Sequence, residues 1–237
     1  MKIKKILLFI TIFMLSAFLT IGSVNKSISI SEGEKVEKSL SSVNGSISIS
    51  RNCRVKGNVT NVNGSIRIEE KCEIGDTIKN VNGSIKIREE CKTDSISSVN
   101  GSIRIGKNTN VDGDIDSVNG SVSCLEGVVV NEDIETVNGS FKLSGTKVKG
   151  GLTTVNGRIT LRDGTRVKKD IIIKRSKRGF LDKLFNLKKR ELEITLKGKS
   201  VVEGDIINKD KERRVILFLE AGSTVKGKVI NVEIEKI

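Results

Sequence analysis

Val43-Asn44-Gly45-Ser46-Ile47-Ser48-Ile49 returns nineteen residues later as Val62-Asn63-Gly64-Ser65-Ile66-Arg67-Ile68. The block recurs with its asparagine at Asn82, Asn100, Asn119, Asn138 and Asn156, at successive spacings of 19, 18, 19, 19 and 18. A worn copy, Val24-Asn25-Lys26-Ser27, lies 19 residues before Asn44. Eight units therefore run without interruption from about residue 24 to residue 173. Self-similarity at a short fixed period marks a chain that buries its apolar side chains by stacking one unit on the next.

Counted from the asparagine as zero, apolar residues fall at +3 and +5, as in Ile47 and Ile49, and at +11 and +15, as in Val55 and Val59. The valine before the next asparagine is read as closing the unit. Alternation over two or three residues predicts short strands, and the wider gaps predict corners. Three strands per 18–19 residues predict a three-sided coil whose rungs hydrogen-bond to the rungs above and below. Ile194, Leu196, Val202 and Ile206 repeat the pattern, as do Leu217, Leu219, Val225 and Val229. The expectation is an all-β chain forming a single right-handed parallel β-helix, a β-solenoid of about ten rungs. At the usual strand spacing it is a rod roughly 45–50 Å long.

The asparagine column has two readings. Six of its members stand in Asn-Gly-Ser, the form of a glycosylation acceptor. The structural reading is stronger: Asn-Gly accepts a tight corner, and stacked amides hydrogen-bond along a column, which glycans at every rung would disrupt. Asn44, Asn63, Asn82, Asn100, Asn119, Asn138 and Asn156 are thus expected to form a turn ladder. Cys53, Cys72 and Cys91 share position +9 with Thr109, Val128 and Thr165 in other rungs, which reads as a small inward corner rather than a metal or redox site. Adjacent rungs bring cysteines within reach, but parallel side chains have poor geometry for a disulfide.

Composition agrees with strands: isoleucine and valine dominate, glycine is plentiful at 23 residues, and proline, histidine, tryptophan and tyrosine are absent. Without histidine the usual general base and metal ligand at neutral pH are missing. No carboxylate departs from its column as a catalytic one would. The expectation is no enzyme, no catalytic or metal residues and no cofactor, with a polysaccharide-active β-helix enzyme as a distant alternative.

The second corner of several rungs reads V-x-G-[DN]-[IV], in Val55–Val59, Val111–Ile115 and Val202–Ile206. Here the chain resembles the bactofilins, polymer-forming bacterial cytoskeletal proteins. The resemblance covers most of residues 24–232 and implies a right-handed three-sided β-helix, with end-to-end polymerisation as a property it would carry over. The chain departs from that family in its N-terminus, its lack of proline, its V-N-G-S corner and one basic insertion. A cytoplasmic scaffold role therefore does not carry over.

Lys2, Lys4 and Lys5 precede a mostly apolar run from Ile6 to Ile21, so residues 1–22 read as a signal peptide cleaved near Gly22–Ser23. The alternative is an uncleaved membrane anchor formed by residues 6–21, a short span for a bilayer. Both place the rest in the cell envelope, on the periplasmic or extracellular face. Residues 23–173 and 192–237 form the rungs. Between them residues 174–191 carry eight basic and two acidic side chains out of a chain total of 42 and 29. Lys174, Arg175, Lys177, Arg178, Lys183, Lys188, Lys189 and Arg190 lie around Phe180, Leu181 and Leu184, which with Leu187 or Lys188 follow helical spacing, and Phe185 flanks them. The segment reads either as a cover folded over the coil or as an interfacial element for anionic lipid or an acidic cell-wall polymer. Nucleic acid is not an expected partner, since no aromatic platform interleaves the charges. The functional expectation is a structural or adhesive envelope solenoid that self-associates; the alternative is a peripheral module docking through residues 174–191.

Overall fold

The structure is a computed structural model and describes residues 20–175 and 191–237. Its strands form three parallel sheets, two of eleven strands and one of ten. Each rung contributes one strand to each sheet in turn, as Ser39–Asn44, Ile47–Ile49 and Arg54–Val55 do. The ten third-sheet strands match the ten rungs read from the repeat. The first sheet gains Thr20–Ser23, which pairs with Ser39–Ser42, and the second gains Glu233–Lys236 at the far end. The fold is a β-solenoid, and the described residues contain no helix.

Register is strict because the period is strict. Ile47, Ile66, Ile85, Ile103, Val122, Phe141, Ile159 and Ile194 stack in one column, and all are fully buried. A one-residue slip would turn every such side chain outward, so burial itself locks the pairing. The basic segment does not disturb this. Ile171–Ile173 before it pairs directly with Ile206–Asn208 after it.

One inward column differs from the sequence expectation. The valine preceding each ladder asparagine, such as Val43, Val62 and Val81, is only half-buried and faces outward. The buried position is the residue before it: Ser42, Asn61, Asn80, Ser98, Ser117, Thr136 and Thr154. Strand alternation forces this, since Val59 and Asn61 must share a face. Apolarity favoured the valine; geometry chose its polar neighbour. All of them but Thr154 are tolerated because they bond the corner carbonyls. Ser117 Oγ donates to Gly120 O at 3.0 Å, and Asn61 Nδ2 donates to Gly45 O at 2.8 Å.

Candidate functional site

The corner glycines are dictated by closeness. A Cβ at Gly120 would overlap the carbonyl of Gly101 one rung below, and one at Gly101 would overlap that of Gly83. Gly64 and Gly83 also hold φ of +143° and +132°, where glycine is favoured. This tight stack brings the asparagines into line. Asn44 Nδ2 donates to Asn25 Oδ1 at 3.0 Å and Asn63 Nδ2 to Asn44 Oδ1 at 2.9 Å. The chain of amides continues through Asn82, Asn100, Asn119 and Asn138 to Asn156. Each exposed amide thus spends one donor and one acceptor on its neighbours.

The ladder ends on an arginine that the repeat does not announce. Arg213 Nη2 donates to Asn156 Oδ1 at 2.6 Å, and its Nη1 donates to Val155 O at 2.5 Å, 57 and 58 residues away in sequence. Arg213 is 9% exposed and lies beside Asp210, which is fully buried, with Nε and Oδ2 3.9 Å apart. Burial depresses the guanidinium's pKa, and the Asp210 charge opposes that. Asn208 fixes the loop by donating to Arg213 O at 3.0 Å and accepting from Asp210 N–H at 2.9 Å. The loop from Asn208 to Arg213 is therefore a plug at the ladder's end.

The base of the basic segment is engaged with the rod. Lys174 pairs with Glu135, and Arg175 Nη2 lies 3.6 Å from Glu212 Oε1. Lys177, Arg178, Phe180, Leu181, Lys183, Leu184, Phe185, Lys188, Lys189 and Arg190 lie outside the described residues. Beside the point where the segment leaves, Ile172, Ile207 and Ile230 stack in register on the outer face of the first sheet, with Ile230 38% exposed. This outward isoleucine row was not singled out in the sequence, although three apolar residues in a row, Ile171-Ile172-Ile173, signal that one must face out.

The cysteine column is inward and buried, and it donates as well as packs. Cys53 Sγ lies 2.9 Å from Ser31 O, Cys72 Sγ 3.0 Å from Ser50 O, and Cys91 Sγ 3.1 Å from Glu69 O. Thr109 Oγ1 and Thr165 Oγ1 make the same bond to Arg88 O and Leu143 O. That shared donor explains how threonine replaces cysteine there, while Val128 fills the same position by packing alone. Cys124 packs deeper and its thiol is pushed up to about 12 by burial. All four cysteines are free. No group of three or more histidine, cysteine or acidic residues able to hold a metal occurs among the described residues.

Outside, many charges are matched across rungs, as in Arg54–Glu73 at 3.3 Å and Lys56–Glu37 at 2.7 Å. Arg67, Lys86 and Arg104 are register partners on the second sheet and have no ion-pair partner among the described residues. At the rod's ends Ile21 and Val24 are 42% and 65% exposed, and Ile234 and Ile237 are 51% and 62% exposed. No helix among the described residues is long and apolar enough to cross a membrane. No protein-family model, curated protein or solved structure matches this chain.

Proposed function

We propose that the protein is a non-enzymatic structural or adhesive rod of the cell envelope, exported by residues 1–22, that associates with copies of itself. The observation that carries this reading is the state of the two ends. At one, Ile28–Ile30 and Lys35–Val36 are the last strands of their sheets, and Ser39–Asn44 becomes the last of its sheet once residues 1–22 are removed; at the other, Val229–Ile230, Glu233–Lys236 and Thr224–Val225 are. Among the described residues each presents an open edge of backbone donors and acceptors, the usual template for adding another strand. Exposed Val24 accompanies one edge, and Ile230, Ile234 and Ile237 the other. Along the shaft the inward columns are committed to packing and the outward ones repeat rung by rung, which suits a spacer. Kinship with the bactofilins rests on the V-x-G-[DN]-[IV] corners and adds end-to-end joining to the same picture.

Negative-stain microscopy and sedimentation velocity of the full-length chain test this. Concentration-dependent filaments or end-joined rods are expected, and Ile234→Lys with Ile237→Lys should return single rods about 50 Å long. Single rods at every concentration from the unaltered chain would refute self-association.

A further inference from the structure

The third sheet carries two outward columns of charge, and they are balanced over only part of its length. In the early rungs Arg54 pairs with Glu73, Lys56 with Glu37, and Lys92 with Asp112 at 3.2 Å. Farther along, the same two columns hold Lys147 and Arg166 in one and Lys149 and Lys168 in the other. None of these four exposed side chains has a hydrogen bond or ion pair among the described residues. Lys147 and Arg166 are direct register partners, an arrangement of like charges that works against strand pairing.

The four surround a depression of about 240 Å³ lined also by Val148 and Glu203. Neighbouring strands lie about 4.8 Å apart and residues two along a strand about 6.6 Å apart, so the four side chains leave the backbone from the corners of a small rectangle. Glu203, half-buried on one side, leaves three net positive charges. A flat carboxylate meets one or two such donors. A tetrahedral phosphate directs oxygens to several at once and forms charge-assisted hydrogen bonds with each. The next rung on one side places the uncharged Val129 and Asn131 in the same columns, so a chain of phosphates can enter the pocket along the rod axis from that side.

We propose that Lys147, Lys149, Arg166 and Lys168 form an anion pocket that holds a phosphate group of a linear phosphate-bearing polymer. This does not depend on self-association or on residues 174–191. Fluorescently labelled polyphosphate is the probe, titrated against the full-length chain at two salt concentrations. The K147Q/K149Q/R166Q/K168Q variant should bind at least about tenfold more weakly and with a shallower salt dependence. A control removing four cations from the balanced part, R51Q/R54Q/K56Q/K92Q, should change affinity less than about twofold. Glu203→Gln should tighten binding by about two- to fivefold, an effect that a purely structural role would not produce. Far-ultraviolet circular dichroism checks that each variant keeps the strand spectrum. Equal loss in the control would overturn the proposal in favour of net charge. Tighter binding of polygalacturonate would overturn the phosphate assignment. Retention on anionic phospholipid vesicles without polyphosphate binding would make the occupant a membrane and overturn it likewise.

Discussion

The rungs before residue 174 and those after residue 191 use the same three sheets but close the first corner by different chemistry. In the long first region each corner is a glycine stacked on a glycine, with an exposed asparagine amide bonded to the next. In the short second region that motif is gone, and Arg213, Asp210 and Asn208 fold back to terminate the ladder. A repeat column needs only neutral partners along its length, because each amide offers both a donor and an acceptor. Its last acceptor needs a donor from outside the pattern. Here that donor is a charge, and the charge needs a buried counter-ion.

The sharpest way to break the contrast is Arg213→Met. It leaves Asp210 buried without its cation and should cost about 3–5 kcal/mol in urea unfolding, whereas R213M with Asp210→Asn should cost less. A loss below that of an exposed ion pair would show that the plug is ornamental. In the first region Gly120→Ala places a Cβ against the Gly101 carbonyl, and about 2–4 kcal/mol should be lost. An unchanged midpoint would mean that the glycine stack has more slack than its geometry indicates.

The core of the first region carries a pH signature. Cys124 has its folded pKa raised from 9.0 to about 12, so the folded state holds the proton more tightly. Its contribution is intact below pH 9 and is lost progressively as pH climbs toward 12. Cys124→Val, compared with the unaltered chain, should recover about 2 kcal/mol of the stability lost by about pH 10.5. Parallel pH profiles for the two proteins would contradict the buried, protonated thiol. At the corner column, Cys72→Thr keeps a donor to Ser50 O and should be nearly neutral, while Cys72→Val strands that carbonyl and should cost about 1 kcal/mol. Equal midpoints for the two variants would return the column to simple packing. Smallest is Lys71→Gly. Lys71 holds φ +57° at the corner where later rungs place Gly127 and Gly145, so relief of strain should raise stability by about 0.5–1 kcal/mol. A decrease would show that the Lys71–Glu90 contact at 3.8 Å outweighs the strain.

Much of this architecture was readable from spacing. The positions of Ile47, Ile49, Val55 and Val59 relative to Asn44 fix strands, corners and faces, because only one phase of a period-two pattern buries all four. The break at residues 174–191 was equally visible as a gap in the repeat. The valine of V-N-G-S was misread as inward because its apolarity was weighed above its phase. The cysteine column was read as packing because a sulfur–carbonyl bond across rungs leaves no mark on composition. Nothing in the sequence marks Arg213, since its partners lie 57 and 58 residues back and nothing local points to them.

By itself, then, the sequence determined the rung, its period and the side each residue faces, because those follow from local alternation repeated many times. Tertiary structure alone decided what the stacking brings together. That includes which polar groups find a carbonyl in the core, where the ladder ends, and which cations meet an acid in the next rung. The four around the third-sheet depression form no ion pair among the described residues, with Glu203 the one acid lining that depression. Such pairings depend on what lies one rung away, and a rung is defined only once the chain has coiled.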